Sequence, residues 1–360
     1  MKLLFTGDIC IEKPRSDNMF DTELVEYIKK NDLACCNLEG AIKQKMENSK
    51  IGPCVYNSEK TIDMCSDAGF KLFALANNHI YDYKKTGVDE TIRRINENNC
   101  QYIGIDENNQ IKSYEILKNN LKLSIYNVAE NGFGCSSCAE KGFYWFKDPR
   151  LEEDIIHKYK SGHKIIIISH AGAEYFDYPL PEIRNLYRHW IDLGVSCVIG
   201  HHPHVPQGFE NYKNGKIYYS LGNFIFDEGG KSKTSRTFSV SIDIDLSGNF
   251  SYEEIYTVYN DGKIYLDKDD SLKKKINEIN KVMSNNENYE KEVNYFCTEA
   301  YNKFYRDYYG KVRVLTSLYN KMFRKKNLYD KWIFHNLVIE THYWVCRRAM
   351  ILAEKEKQYE

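Results

Sequence analysis

Short apolar runs recur along the first 260 positions. Between them lie stretches whose apolar residues return every third or fourth position. The runs "KLLFTGDI" (2–9), "LACCNLEG" (33–40), "KLFALANNH" (71–79), "KLSIYNVA" (122–129), "HKIIIISHAG" (163–172) and "VSCVIG" (195–200) read as strands. The four successive isoleucines of the fifth suit a strand covered on both faces. "DTELVEYIKKND" (21–32) reads as a helix with Leu24, Val25 and Ile28 on one side. "SEKTIDMCSDAGF" (58–70) reads as a second, with Ser58 as N-cap and Gly69 as its stop. "TGVDETIRRINENN" (86–99) and "PEIRNLYRHWIDLG" (181–194), the latter with Pro in its first turn, complete the set. The rhythm then changes. "KIYYSLGNFIF" (216–226), "TFSVSIDIDL" (237–246) and "YEEIYTVYN" (252–260) are strands with no helix between them. The front is therefore α/β, with an antiparallel part added late.

From about Ser271 the pattern becomes helical and rich in Lys, Asn and Tyr, with "NNEN" (285–288) and Gly310 as breaks. We place the boundary after residue 264, giving a catalytic-type domain over 1–264 and a helical extension over 265–360. Composition adds one point. The chain carries a net −1, yet residues 271–360 hold 18 Lys+Arg against 11 Asp+Glu, so a basic tail follows an acidic front. That balance does not favour a nucleic-acid-binding chain as a whole. Near its end the tail holds Leu328, Trp332, Phe334, Leu337, Val338, Tyr343, Trp344, Ile351 and Leu352, too apolar for a free tether. Such helices are expected to pack on the front or against a second copy of the chain. "MKLLFTGDIC" reads as a strand and not as a signal peptide, and no run is long enough to span a membrane. The 11 cysteines then read as free thiols of a cytoplasmic protein, at most peripheral to a membrane. "CSSC" (135–138) lacks the second pair that zinc needs.

Chemistry collects at the strand ends. Asp8 follows "LLFTG", Asn37 and Glu39 follow "LACC", and Asn77, Asn78 and His79 follow "LFALA". His170 and Glu174 follow "IIIIS", and His201, His202 and His204 follow "SCVIG". The C-terminal ends of strands form the ligand crevice of α/β sheets. Carboxylates, imidazoles and an amide oxygen suit Mn, Fe or Zn, as one or two ions. A shared carboxylate flanked by histidines could hold two ions roughly 3.5–4 Å apart. His202 and His204, alternating along an extended segment, would then point to different ions.

"GDIC", "NLEGAI", "LANNHIYDY", "SHAGAEY", "GHHPHVPQG" and "YSLGNFIFD" resemble the successive motifs of the bacterial CapA-like (poly-gamma-glutamate capsule-synthesis) family, itself similar to the calcineurin-like metallophosphoesterases. The resemblance covers about residues 1–260 and implies a layered αββα sandwich followed by the helical extension. It implies Asp8, Glu39, Asn78, His170, His202 and His204 as metal ligands, Glu39 at the bridging position, and His79 as the catalytic residue meeting the phosphate or leaving group. Cys10 stands where the superfamily's D-x-H motif has histidine, which leaves the first metal site weaker or gives it a softer ligand. Asn37, Glu174, His201, Asn223 and Asp227 are expected near the substrate or behind the ligands, with His201 one residue off register for a ligand.

The expected activity is hydrolysis of a phosphate mono- or diester by metal-activated water, in capsule, polysaccharide or polymer metabolism. The expected partner is a phosphorylated substrate, such as a saccharide or polymer. Two rivals stand beside it. The altered D-x-H motif suits a non-catalytic, metal-binding assembly subunit of a polymer synthase. The basic tail, with "MFRKK" at 322–326, suits a nuclease.

Overall fold

The computed structural model describes residues 1–45, 52–106, 110–135, 142–226, 236–306 and 336–357. Asp227, Cys138, "MFRKK", Leu328, Trp332 and Phe334 lie outside the described residues. The chain divides into two compact units: Met1–Lys50 with Cys54–Asn280, and Ile51–Pro53 with Lys281–Glu360.

The first unit is built on two sheets. One has the order β14-β13-β12-β1-β2-β3-β4, and β11 also pairs with β1. Its parallel half comprises β1 (Lys2–Cys10), β2 (Leu33–Leu38), β3 (Leu72–Ala74), β4 (Gln101–Ile103) and β11 (Asn223–Phe226). Its antiparallel half comprises β12 (Arg236–Ile244), β13 (Phe250–Asn260) and β14 (Lys263–Leu266). The other sheet has the order β5-β6-β7-β8-β10-β9: β5 (Tyr114–Lys118), β6 (Leu121–Ala129), β7 (Lys164–His170), β8 (Cys197–His201), β10 (Gly215–Tyr218) and β9 (Phe209–Tyr212). Helices α1 (Thr22–Lys29), α2 (Glu59–Ala68) and α3 (Lys84–Glu97) pack in sequence, α1 on α2 and α2 on α3, and α1 and α3 contact β14 and β4 of the first sheet. Helices α4 (Pro149–Lys160) and α5 (Pro181–Asp192) contact the second. The result is a layered αββα sandwich.

Local chemistry explains the elements. Asp21 caps α1 by accepting from the Glu23 amide, and Asp148 caps α4 by accepting from the Arg150 amide. Gly69 ends α2 at φ 113°, a conformation that costs glycine little. Ile165, Ile166, Ile167 and Ile168 of β7 are all buried, as expected for a strand covered on both faces. One expectation fails. "KIYYSLGNFIF" is two strands and not one: β10 belongs to the second sheet and β11 to the first. Gly222, at φ 81°, lies in the crossing between them. That crossing joins the two sheets at the end where the polar residues emerge.

In the second unit, α6 (Ser271–Ser284), which begins in the first, ends just before the Asn285 cap of α7 (Asn286–Ala300). α7 packs against α8 (Glu340–Lys357), and Arg348 bonds to Glu290 and Asn294. No helix among the described residues is long and apolar enough to cross a membrane.

Candidate metal centre

Parallel pairing delivers the polar side chains in two rows. In the first sheet Asp8 lies opposite Asn37 on one side and Asn223 on the other. In the second, His170 lies opposite His201 and Ala129, so Glu130 follows at the same level. Two close approaches hold this geometry. A Cβ on Gly7 would lie 2.0 Å from the Gly222 carbonyl oxygen, and one on Gly200 would lie 1.9 Å from that of Tyr219. Only glycine allows strands to meet at that distance. The Asp8 amide then donates to the Gly222 carbonyl at 3.0 Å.

The turn after β8 differs from expectation. His202 and His204 have φ of 94° and 59°, so the segment is not extended and simple alternation does not aim the two rings. The turn does so instead, and the Asp8 carboxylate accepts from the His202 backbone N–H at 3.4 Å. Tyr175, on the loop after β7, is also left-handed at φ 57°. Such backbones cost about 1–3 kcal/mol each and persist where the surroundings dictate them.

The Glu39 carboxylate is fully buried, and its Oε1 is ringed by imidazoles. His204 Nε2 lies 3.7 Å away, and His170 Nε2 and His79 Nε2 lie 3.9 Å away. Each of these rings is held from its other nitrogen. His204 Nδ1 lies 2.9 Å from Asn223 Oδ1, and His79 Nδ1 lies 2.5 Å from Asp82 Oδ2. Both acceptors fix the proton on Nδ1 and turn Nε2 inward. His170 Nδ1 lies 3.3 Å from Asn37 Nδ2, while its Nε2 lies 2.9 Å from Asn78 Oδ1. Asp8 Oδ1 accepts from Asn37 Nδ2 at 2.8 Å and lies 2.7 Å from His201 Nδ1.

Electrostatics follow from this crowding. Burial, and then the neighbouring His202, His201, His204 and His79, hold His170 well below the usual histidine range. For His204 burial alone would act downward. The carboxylates of Glu39, Glu174 and Asp8, with the Asn223 amide oxygen, reverse this and hold it at about 9. The pocket therefore favours positive charge at the Nε2 pole of His204.

Three donor groups each lie within 4.8 Å: Glu39 with His170 and His202, Asp8 with Glu39 and His204, and Glu174 with His202 and His204. Glu39 belongs to two of them. Buried carboxylate and imidazole donors, two of them with the far nitrogen already anchored, fit a divalent cation of intermediate hardness.

The sequence-predicted residues thus separate. Asp8, Glu39, Asn78, His79, His170, His202 and His204 come together. Asn37 and Asn223 stand behind them, and His201 sits against Asp8 and belongs to none of the donor groups among the described residues. Glu174 is at the exposed rim. The Cys10 thiol donates to the Tyr56 carbonyl at 3.5 Å and belongs to none of those donor groups. Two participants escaped sequence reasoning. Asp82 is buried against His79 and accepts from the Val55 amide. Glu130 is buried with its Oε1 3.6 Å from His202 Nε2, and it accepts from the Gly172 amide. Glu130 is the first residue after a buried strand, a signal open to sequence reading.

Residues 2–228 match the family profile described as "Bacterial capsule synthesis protein PGA_cap". The chain is 29% identical over 253 residues to the capsule biosynthesis protein CapA of Bacillus anthracis, covering 64% of this chain and 60% of that protein. It is 27% identical over 296 residues to the PGA biosynthesis protein CapA of Bacillus subtilis (strain 168), covering 75% of each. It thus spans about 60% of the length of the Bacillus anthracis relative. Among solved structures it is similar to a protein from Staphylococcus aureus described as a 5'-nucleotidase in complex with alpha-ketoglutarate. That likeness has a TM-score of 0.47 and 14% identity, covering 77% of this chain and 58% of the other.

Proposed function

Because the chain belongs to the bacterial capsule synthesis protein family PGA_cap, we propose that it is a divalent-cation-dependent phosphoester hydrolase acting in capsule or polymer metabolism. The observation that carries this reading is the Glu39 carboxylate, with three imidazole Nε2 atoms within 3.9 Å. Asp8, Glu39 and His204 would hold one cation. Glu39, His170 and His202 would hold a second, with the Asn78 amide oxygen beside them. A divalent cation there would supply Lewis-acid charge and an activated water.

The protein's own groups do the rest. Asp82 fixes the proton of His79 on Nδ1 and stabilises the ring when it is charged. His79 Nε2 faces the cluster and can carry a proton to the departing alkoxide oxygen. Asn223 and Asn37 keep His204 and His170 from turning away. Phosphorylated saccharides or polymer precursors are the substrates that suit a capsule family.

A second reading, a metal-binding assembly subunit without turnover, is favoured by the placement of the Cys10 thiol on Tyr56. One experiment separates the two. The protein is stripped with chelator, reloaded with Mn, Fe or Zn, and assayed on a panel of phosphomonoesters and diesters alongside elemental analysis. Stoichiometric metal with chelator-sensitive turnover is the expected result. Full metal with no turnover on any ester would sink the hydrolase and leave the assembly subunit.

A further inference from the structure

The loop between β7 and α5 carries Tyr175 at the rim of the candidate centre. Its side chain is 47% exposed, while its backbone sits at φ 57°. A bulky residue in that region is an outlier. The strain is locked in by a hydrogen bond from the Tyr175 amide to the Pro203 carbonyl at 2.8 Å. One turn earlier, the Gly172 amide donates to the buried Glu130 carboxylate at 3.2 Å. The loop is therefore pinned to the same turn that carries His202 and His204. The consequence is geometric. The Tyr175 ring centroid stands 5.8 Å from that of His204, tilted by 35°. The adjacent Glu174 joins His202 and His204 in a donor group. A rigid, half-exposed aromatic face thus borders the reactive cluster.

We propose that Tyr175 is the specificity-determining residue of this site, and that it selects phosphoesters whose alcohol carries a ring next to the ester oxygen. The proposal rests on the hydrolase reading above and names its substrate class. With the phosphoryl group at the Glu39 cluster, the alcohol leaves toward the rim, where an aromatic face offers stacking or CH–π contact. A short open-chain alcohol gains nothing there.

The test compares phenyl phosphate with methyl phosphate on the metal-loaded full chain, using Tyr175→Gly and Tyr175→Phe. Glycine relieves the backbone and removes the ring; phenylalanine keeps the ring. The glycine variant is expected to raise KM for phenyl phosphate about 2- to 10-fold with kcat unchanged, and to leave methyl phosphate unaffected. The phenylalanine variant should restore the parent value. The Tm should stay within about 2 °C of the parent. Equal changes with both esters, no change with either, or a larger fall in Tm would overturn the assignment. Should the parent turn over no ester, the hydrolase reading fails alone. Calorimetry with phenylphosphonate and methylphosphonate then decides the role of Tyr175. Selective weakening of phenylphosphonate in the glycine variant supports it; equal weakening, or binding of neither by the parent, refutes it.

Discussion

Around the Glu39 carboxylate, one histidine differs from the next by the group on its far nitrogen. His79 leans on the Asp82 carboxylate, whereas His204 leans on the Asn223 amide. The carboxylate partner suits His79 to the proposed proton-transfer role, whereas His204 is a member of two donor groups. His79→Ala is therefore expected to keep bound metal while lowering turnover about 10²- to 10⁴-fold. His202→Ala, which removes a member of two donor groups, should lose metal. Asp82→Asn should keep metal and lower turnover at neutral pH, because the amide can present its donor to Nδ1 and so favour the wrong tautomer. Elemental analysis beside kinetics checks all three, and metal loss in His79→Ala would reverse the assignment. His202 and His204 were legible because polar residues just past a buried strand have few other reasons to be there, and His79 because its apolar run continues for two residues past β3 before the polar cluster begins. Asp82 was not, since its stretch "NNHIYDY" also reads as a solvated turn. The seat of His201 on Asp8 was not legible either, because it depends on β7–β8 register and the sheet-to-sheet approach.

The elements holding the site were read well where periodicity was clean, as in β1, β7, α1 and α5. Reading failed at "KIYYSLGNFIF", because both halves are apolar and the sheet change falls in the four residues between them, with Gly222 at φ 81° the sole glycine there. Short strands such as β4 were missed because three residues show no period. One element contact has a direct pH signature. α5 supplies Arg184 and Arg188, both bonded to the Glu210 carboxylate of β9, and Tyr219 donates to it as well. Burial would raise the Glu210 pKa, but these donors override it and hold it at about 2. A depressed carboxylate stabilises the fold above its unfolded value, near 4.5, and that stabilisation is lost as pH falls toward 2. The expected contribution at pH 7 is about 3 kcal/mol. The stability gap between parent and Glu210→Gln should therefore be full at pH 7 and shrink between pH 4.5 and 2. Denaturant melts across that range test it, and a constant gap would show that the carboxylate charge is not what holds α5. Gly200→Ala is the steric counterpart. A methyl 1.9 Å from the Tyr219 carbonyl forces β8 and β10 apart and should displace the His201–His204 turn, lowering both Tm and metal content.

At the scale of the whole chain, the sequence reads as an acidic α/β front and a basic helical tail divided after residue 264, whereas the two compact units divide after Asn280, with Ile51–Pro53 grouped with the second. Charge and apolar content could show that the tail folds, but not on what. A helix's apolar stripe does not name its partner. The division nevertheless makes a prediction about self-sufficiency. Every residue of the candidate centre falls in the first unit, from Asp8 to Asn223. So does a continuous buried cluster running from Leu4 to Ile264, which includes Phe20, Phe70, Phe73 and Phe224. No donor group found among the described residues draws on the second unit. A unit with its own core and these donor groups is expected to fold and take up a cation without a further segment. A fragment ending at Asn280 is therefore expected to unfold in one cooperative transition and to bind Mn or Zn with the stoichiometry of the full chain. Its affinity should be within about threefold, a difference of less than 1 kcal/mol. Calorimetric titration and thermal melts of the fragment and the full chain, run side by side, measure both. A fragment that melts without cooperativity would mean that the core is completed from beyond Asn280. A fragment that folds but binds less than the full complement of metal would mean that a ligand comes from there.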